Sequence, residues 1–310
     1  MAEVTHEDQI PLTTRQLGAV AAGKHWASAY AWPAIRKFIV TKPLGAAGGV
    51  IILLMIITAI FAESIAPYSP YEIDQRLQFT APSVQHWFGT DEFGRDLFTR
   101  IVYGARVALF IGLTAAFVGA TGGAILGVIS AYLGGKVDLI LQRFMDVMLA
   151  FPLLILALAI VTVLGRSLPN VVLAIAIPII PRTTRIVRSN ALSIKEHIYV
   201  EAARAVGCSH LWVILRHIIP NVMAPYLIML TAQFGNAILV EASLSFLGLG
   251  TAEPTPSWGL MLSGSALSYA ERAPWVAVFP GIAISLAVFG FNLFGDSLRD
   301  ALDPKLRHRT

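Results

Sequence analysis

The sequence EAARAVGCSHLWVILRHIIP occupies residues 201–220, where charged and small residues interrupt the apolar pattern between two long hydrophobic segments. Gly207 can adopt a positive φ without steric cost and can therefore end a helix. Ser209 can accept a backbone N–H bond at the start of a second helix, which we expect to reach about Ile219, before Pro220. The stretch predicts two short helices joined by a tight turn, outside the membrane spans.

The first of these helices is predicted to begin near Ser193. Ser193 followed by Glu196 fits a capping box, which satisfies the free N–H groups of a helix start and indicates a helix over about residues 194–206. An apolar stripe along this helix can pack while the charged residues stay in water. The stripe consists of Ile194, Ile198, Ala202 and Ala205. The small side chains of Ala202 and Ala203 would let a partner approach closely.

The pattern alone leaves two other interpretations of this segment open. An amphipathic helix could lie on the lipid surface. A DNA-reading helix-turn-helix would need basic residues facing phosphates. Residues 193–216 carry three basic side chains against two Glu, a net charge of +1. Nucleic acid is therefore not an expected partner.

The composition is that of a membrane protein. Of the 310 residues, 56% are hydrophobic and 14% are charged, which leaves too few polar groups to cover a soluble domain. About 20 apolar residues cross roughly 30 Å of hydrocarbon as a helix. Six such segments predict an all-α polytopic fold with six transmembrane helices. They cover about residues 44–65, 107–133, 147–164, 171–187, 222–247 and 275–294.

Residues 1–43 are polar and mixed, without an apolar core followed by a cleavage site, so we expect the first span to direct insertion. We divide the chain into this polar tail and a transmembrane domain of residues 44–310.

The single cysteine, Cys208, excludes a disulfide within the chain and a metal site built of thiolates.

The basic residues predict the orientation. With six crossings, 17 of the 23 Lys and Arg residues fall on one side of the membrane, in the tail and in residues 134–146, 182–221 and 297–310. The positive-inside rule then places both termini in the cytoplasm.

Two of the spans contain residues that modify helix packing. Pro178 and Pro181 in the fourth span predict a kinked or broken helix. Gly119, Gly123 and Gly127 recur every four residues in the second span and form a ridge that lets two helices meet closely in lipid. This ridge can serve packing within the chain or contact with another subunit.

Polar residues in and near the last two spans are candidates for function, because an uncompensated polar group in lipid is costly. They are Gln233, Asn236, Glu241 and Asn292. Such side chains can line a translocation path or form hydrogen bonds between helices, and the sequence leaves both open. We take Gln233, Asn236 and Asn292 as the candidate pathway residues.

An outer segment carries a charged cluster of Asp91, Glu92, Arg95 and Asp96. Salt bridges and helix capping account for it better than a metal or catalytic site does. The His residues are scattered over both sides of the predicted membrane, and no Ser has a paired base, so we predict neither a metal site nor a catalytic site.

The sequence contains no nucleotide-binding loop of the P-loop type. Gly23-Lys24 and Gly135-Lys136 are not followed by Ser or Thr, so we expect no nucleotide cofactor in this chain. A membrane protein of this kind could also be an ion-coupled secondary transporter or a channel. Such a protein would use intramembrane acids as ion sites, and the predicted spans carry few ionisable residues.

Residues 190–220 resemble the EAA loop of ABC importer permeases, in which EAA is followed by three residues, a Gly, and a Pro thirteen residues after that Gly. The positions that fit are Glu201, Ala202, Ala203, Gly207 and Pro220. One position departs, because the family usually has an aliphatic residue ten positions after the Gly, where this chain has His217.

Within that superfamily the chain resembles the C-type subunits of the dipeptide, oligopeptide and nickel permease group over about residues 44–307. The closer match lies in HWFGTDEFGRDLFTRIVYGAR at 86–106, EASLSFLGLGTAEPTPSWGLML at 241–262 and FNLFGDSLRDALDPKLR at 291–307.

The resemblance implies a type I importer permease fold in the bacterial inner membrane, with five core helices and a first helix that wraps a partner. It implies that a cytoplasmic coupling helix contacts an ATPase through Glu201, Ala202, Ala203 and Gly207. It further implies two ATPase subunits that bind ATP and magnesium, a second related permease in a heterodimer, and an extracytoplasmic solute-binding protein. The expected cargo is a dipeptide or oligopeptide, and nickel, glutathione or another small solute is the alternative within the group.

Overall fold

A computed structural model describes residues 36, 38–264, 269 and 271–302. Within these residues the backbone forms helices joined by turns, with one isolated antiparallel bridge between Thr90 and Asp96. The helices in chain order are α1 (Pro43–Ile60), α2 (Ala62–Ile65), α3 (Leu97–Leu133), α4 (Gly135–Leu149), α5 (Leu153–Leu164), α6 (Leu168–Lys195), α7 (Ile198–Ala205), α8 (His210–Val213), α9 (Ile219–Phe246), α10 (Trp258–Met261) and α11 (Trp275–Leu302). The predicted all-α fold is confirmed.

Five described helical segments are long and apolar enough to cross a membrane, and a bent helix pair makes a sixth if it is counted as one span. The five are α1, α3, α6, α11 and the segment His210–Phe246, in which a π-helical turn, Ile214–Ile218, joins α8 to α9. Each overlaps one of the predicted spans. The predicted tail of residues 1–43 lies almost entirely outside the described residues, as do residues 303–310.

The second span begins at Leu97, ten residues before the predicted start, because its early charged residues are satisfied by other parts of the chain. Arg106 donates from Nε to the carbonyl of Ala59 at 2.5 Å and pairs with Glu63 at 3.1 Å. It thereby binds the carbonyl end of α1, whose last residues lack partners within their own helix. Hydropathy alone could not reveal this shielding.

The third predicted span, 147–164, is wrong as a single straight helix. Helices α4 and α5 are bent by 94° at residues 150–152. Pro152 lacks a backbone N–H and precedes the first residue of α5, so the helix breaks there. At 12 residues and about 1.5 Å per residue, α5 is only about 18 Å long.

The fourth span is not broken. Helix α6 runs without interruption through Pro178 and Pro181, and both prolines are buried. Proline is tolerated in such helices when neighbouring helices surround it, and α3 packs along this part of α6.

The glycine ridge of α3 packs against α6. A Cβ atom added at Gly119 would lie 2.6 Å from the carbonyl oxygen of Ala176, and at Gly123 it would lie 2.7 Å from that of Ile180. At Gly127 it would lie 2.7 Å from the oxygen of Thr184. The interpretation of the ridge as packing within the chain is confirmed, since only glycine permits this backbone approach.

Helix α1 packs against α11 of the same chain. Gly48 approaches the carbonyl oxygen of Gly290, and Gly45 approaches Ser297. Lys42, which immediately precedes α1, pairs with Asp300 of α11 at 2.6 Å. Most of the α1 surface faces away from the chain, and its expected contact with a partner stays a prediction.

The outer charged cluster consists of ion pairs and a helix cap, as predicted. Arg95 donates to Asp91 at 2.6 Å. Asp96 accepts the N–H of Thr99 at 2.8 Å at the start of α3 and contacts His86 at 2.9 Å. Arg100, almost fully buried, lies 3.6 Å from Asp91 and donates to the carbonyl of Pro70. These contacts tie the outer segment to the bundle.

We predict that Gly123→Ala destabilises the protein by about 1–3 kcal/mol, because the added methyl group would overlap the α6 backbone. Gly122→Ala is the matched control, since its Cβ would meet only the side chain of Ile180, at 3.7 Å. Thermal unfolding in detergent should show a lower Tm for Gly123→Ala and an unchanged or slightly higher Tm for Gly122→Ala. Equal Tm values for the two variants would contradict the packing described here.

Candidate functional site

A polar groove lies between α6, α9 and α11 and encloses about 660 Å³. Gln233 and Asn236 line it on α9, with the Asn236 amide 3.4 Å from the Gln233 oxygen. Gln233 is nearly buried and Asn236 is exposed to the groove. The structure thus brings two of the three candidate pathway residues together.

Asn292, the third candidate, lies at the contact between α9 and α11. Its amide oxygen lies 2.7 Å from where a Cβ of Gly235 would be, so the absence of a side chain on Gly235 makes room for it. Asn292 does not belong to the groove lining. The Asn292 side chain is exposed, and its assignment to the pathway stays a prediction.

Charged and amide side chains that sequence reasoning did not assign to a site surround one end of the groove. They are Arg182, Asn190, Asn221, Asp296 and Arg299. Sequence analysis used Arg182 and Arg299 only to predict which side of the membrane is cytoplasmic. The groove therefore has a neutral amide interior and a charged mouth. No group of three His, Cys, Asp or Glu side chains in the described part of the chain could hold a metal ion.

Glu241 is structural. Its carboxylate is buried and accepts hydrogen bonds from Ser245 at 2.7 Å and from Ser257 at 2.9 Å. Ser257 immediately precedes α10, so the bonds fasten the outer loop to α9. Of the two interpretations open for Glu241, the structure favours hydrogen bonding within the protein.

Residues 198–218, which we call the elbow, connect α6 to α9. The elbow comprises α7, a turn, α8 and the π-helical turn. Gly207 has φ +83°, and the N–H of Cys208 bonds to the carbonyl of Ala203 at 3.1 Å, the geometry of a Schellman helix end. Ser209 accepts the N–H of Trp212 at 3.3 Å. The predicted turn at Gly207 and the cap at Ser209 are confirmed. The predicted end of the second helix before Pro220 is wrong, because α8 continues through the π-helical turn into α9 without a break. Pro220 lies in the first turn of α9, where proline is tolerated.

The predicted capping box is wrong. Ser193 lies inside α6, which ends at Lys195, and α7 begins only at Ile198. The N-cap residue is His197, with no side-chain cap bond. The fourth span continues past the position at which the Ser193 and Glu196 pattern would start a new helix, because α3 and α4 pack beside it.

The side of α7 that faces the protein is not the predicted stripe. Val200 and Ala203 are buried, together with Val213 of α8, whereas Ile198 is 83% exposed. Ala202 and Ala205 are also exposed. Among the proposed coupling residues, Glu201, Ala202 and Gly207 lie on the accessible side of the elbow, and Ala203 anchors the helix from beneath.

Tyr132, at the end of α3, anchors the elbow. Its hydroxyl lies 2.9 Å from Nδ1 of His210, and the guanidinium of Arg204 lies 5.0 Å from the centre of its ring. Lys195 donates to the carbonyl oxygens of Ala131 at 3.1 Å and Tyr132 at 2.9 Å. These bonds satisfy the last carbonyls of α3. Sequence analysis missed Tyr132, because its partners lie more than 60 residues away in the chain.

Helix α4 is tied to α6 by two ion pairs. Arg188 donates through Nε to Asp138 at 2.6 Å and through a second nitrogen to the other carboxylate oxygen, and Arg185 pairs with Asp146. The Asp138 carboxylate also accepts a hydrogen bond from Ser130 of α3. Several polar contacts therefore join α3, α4 and α6, and α6 leads into the elbow.

The chain matches known sequence families over most of its length. Residues 123–308 match the family described as binding-protein-dependent transport system inner membrane component. Residues 32–82 match the N-terminal TM domain of oligopeptide transport permease C. This second match begins twelve residues before the first predicted span.

Curated relatives are more than 40% identical to the chain over the aligned residues. The dipeptide transport system permease protein DppC of Alkalihalophilus pseudofirmus is 43% identical over 96% of this chain and 97% of the relative. A putative peptide transport system permease protein of Brucella suis is 46% identical over 84% and 87%. The glutathione transport system permease protein GsiD of Escherichia coli is 45% identical over 83% and 84%.

A structure of the MetNI methionine ABC transporter, solved in inward-facing conformations, has a similar fold. The TM-score is 0.54 at 16% identity, over 66% of this chain and 96% of that one. This likeness concerns the fold only.

We predict that Gly207→Val destabilises the elbow by about 1–2 kcal/mol, because a branched side chain disfavours positive φ. Gly207→Asn is the control, since Asn tolerates this conformation and no other residue lies within 4 Å of an added Cβ. Limited proteolysis of the purified chain should cleave the Val variant faster at the elbow than the Asn variant. If both were cleaved at the wild-type rate, the turn would not depend on Gly207.

Proposed function

Since the chain belongs to the family of binding-protein-dependent transport system inner membrane components, we propose that it provides one half of a transport pathway for short peptides. The observation that carries this proposal is the polar groove between α6, α9 and α11. A single chain leaves this groove open on one side, and a second, related permease would complete the path.

The chemistry of the groove suits a peptide. A peptide backbone presents amide donors and acceptors, which the side chains of Gln233 and Asn236 can match. Arg182, Asp296 and Arg299 at the mouth offer both signs of charge to the two termini of a zwitterion. The relatives with named cargoes transport a dipeptide and glutathione, and both of these are short peptides.

The elbow is the proposed contact with the ATPase. Its outer side presents Glu201 and Ala202 with the apolar side chains of Ile198, Val206 and Leu211. Exposed apolar side chains in this number are typical of a protein interface. Two ATPase subunits would bind ATP and magnesium, and this chain would hold no cofactor.

The remaining partners and the orientation follow from the same assignment. The permease would form a heterodimer, and a solute-binding protein would deliver the cargo from outside. Both termini would lie in the cytoplasm of a bacterial cell. Support for this orientation comes from basic residues at the elbow end of the bundle, among them Arg185, Arg188 and Lys195.

We predict that Glu201→Ala lowers substrate-stimulated ATPase activity and transport, because the carboxylate would contact the ATPase. Glu196→Ala is the matched control, since Glu196 is an exposed acid in the same connection but precedes α7. Both variants should reach the membrane in normal amounts. The measurement is ATP hydrolysis and uptake by the full complex in vesicles. Wild-type coupling in Glu201→Ala would count against the proposed contact.

A second prediction concerns the groove. Ala232 is exposed to it, and Ala232→Trp should block peptide uptake by filling the path, while Ala232→Ser should preserve uptake. The complex should still assemble with its ATPase in both variants, as measured by co-purification. If Ala232→Trp transported peptide at the wild-type rate, the groove would not be the path.

A further inference from the structure

Helix α4 presents an apolar face that the rest of the chain does not cover. Its inward side holds the buried Met145 and the paired Asp138. On the opposite side, at helical spacing, lie exposed apolar side chains: Val137, Ile140, Phe144 and Val147. Positions separated by three, four and three residues share one face of a helix, so these side chains form a continuous stripe.

The bend between α4 and α5 determines how the stripe is oriented relative to the membrane. Helix α5 is apolar except for Thr162, whose hydroxyl bonds to the carbonyl of Leu158. Its exposed side chains include Ile155 and Val163, as expected of a helix in lipid. Because α4 is turned by 94° from α5, α4 runs parallel to the membrane surface when α5 points along the membrane normal. Phe151, exposed at the break, joins the α4 stripe to the lipid-facing surface of α5.

The charges around the stripe favour anionic lipid. Lys136 and Arg143 lie exposed along one edge of the stripe. The acids of α4 are engaged elsewhere, Asp138 with Arg188 and Asp146 with Arg185. Arg143 approaches Asp146 only to 3.9 Å, with 77% of its side chain exposed. Basic residues beside an apolar face are the pattern by which a helix binds in the headgroup region of anionic membranes.

We propose that α4 is an interfacial helix that docks on anionic phospholipid, with its apolar stripe among the acyl chains and Lys136 and Arg143 at the phosphates. The assignment of this surface to the cytoplasmic leaflet rests on the proposed function. Two ion pairs join α4 to α6, and α6 leads directly into the elbow. The lipid contact therefore fixes the position of the elbow relative to the membrane surface.

The test measures the depth of α4 in the bilayer. A spin label is placed at Phe144→Cys in the full chain, with the native cysteine removed by Cys208→Ser, and the protein is reconstituted in vesicles of phosphatidylcholine and phosphatidylglycerol. Collision rates with oxygen and with a water-soluble nickel chelate give the depth. The expected position is about 5–10 Å below the headgroups. Adding Lys136→Gln and Arg143→Gln should move the label toward water in these vesicles but not in phosphatidylcholine alone.

Leu211→Cys in the elbow is the matched control, because Leu211 is also an exposed apolar residue, and its label should collide freely with the nickel chelate. Three results at Phe144 would overturn the proposal: exposure to water like that of Leu211, shielding from both reagents by a protein partner, or a position at the bilayer centre. The proposed orientation is read separately, by labelling Leu211→Cys with an impermeant maleimide in sealed vesicles. A failure of the orientation would leave the depth of Phe144 unchanged.

Discussion

The close backbone contact between α3 and α6 is the constraint on which the rest of the structure depends. In lipid, helices gain little from burying apolar side chains against each other, so close packing has to supply the association. Three glycines supply it here by letting α3 reach the carbonyl oxygens of Ala176, Ile180 and Thr184. This contact continues to the ends of both helices, where Lys195 meets the last carbonyls of α3. The elbow packs on the ends of α3 and α6, and it can do so because these two ends are held together.

Polar groups in this bundle fall into two classes that only the structure separates. Glu241, Asp138 and Arg106 are satisfied by partners within the chain, and their contacts stabilise the fold. Gln233 and Asn236 instead contact each other and the groove. In sequence all of these are polar residues within or next to the apolar segments. Some of the partners that distinguish them lie far away in the chain, 47 residues for Arg106 and Ala59 and 50 for Asp138 and Arg188.

The sequence predicts features that depend on local chemistry. Apolar length located the spans, and Gly207 and Ser209 located the turn of the elbow, because positive φ and helix capping require only the residue itself. Features that depend on tertiary contacts were missed or misplaced. Hydropathy could not show that α3 starts at Leu97, since Arg106 is satisfied by α1. It also merged part of α4 with α5, because average hydropathy carries no information about a bend at Pro152.

The connectivity explains how a force on the elbow would reach the groove in the proposed transporter. The elbow is joined without a flexible linker to α6 at one end and to α9 at the other, and these two helices form walls of the groove. On the α6 side, Tyr132 and the ion pairs of Arg185 and Arg188 join the elbow to α3 and α4. On the α9 side, the elbow continues through the π-helical turn, a geometry that often marks functional positions in helices. Val222 of α9 also packs with Val200 and Val213 of the elbow. A force on the elbow would therefore act directly on α6 and α9, and the width of the groove would change with the positions of these two helices.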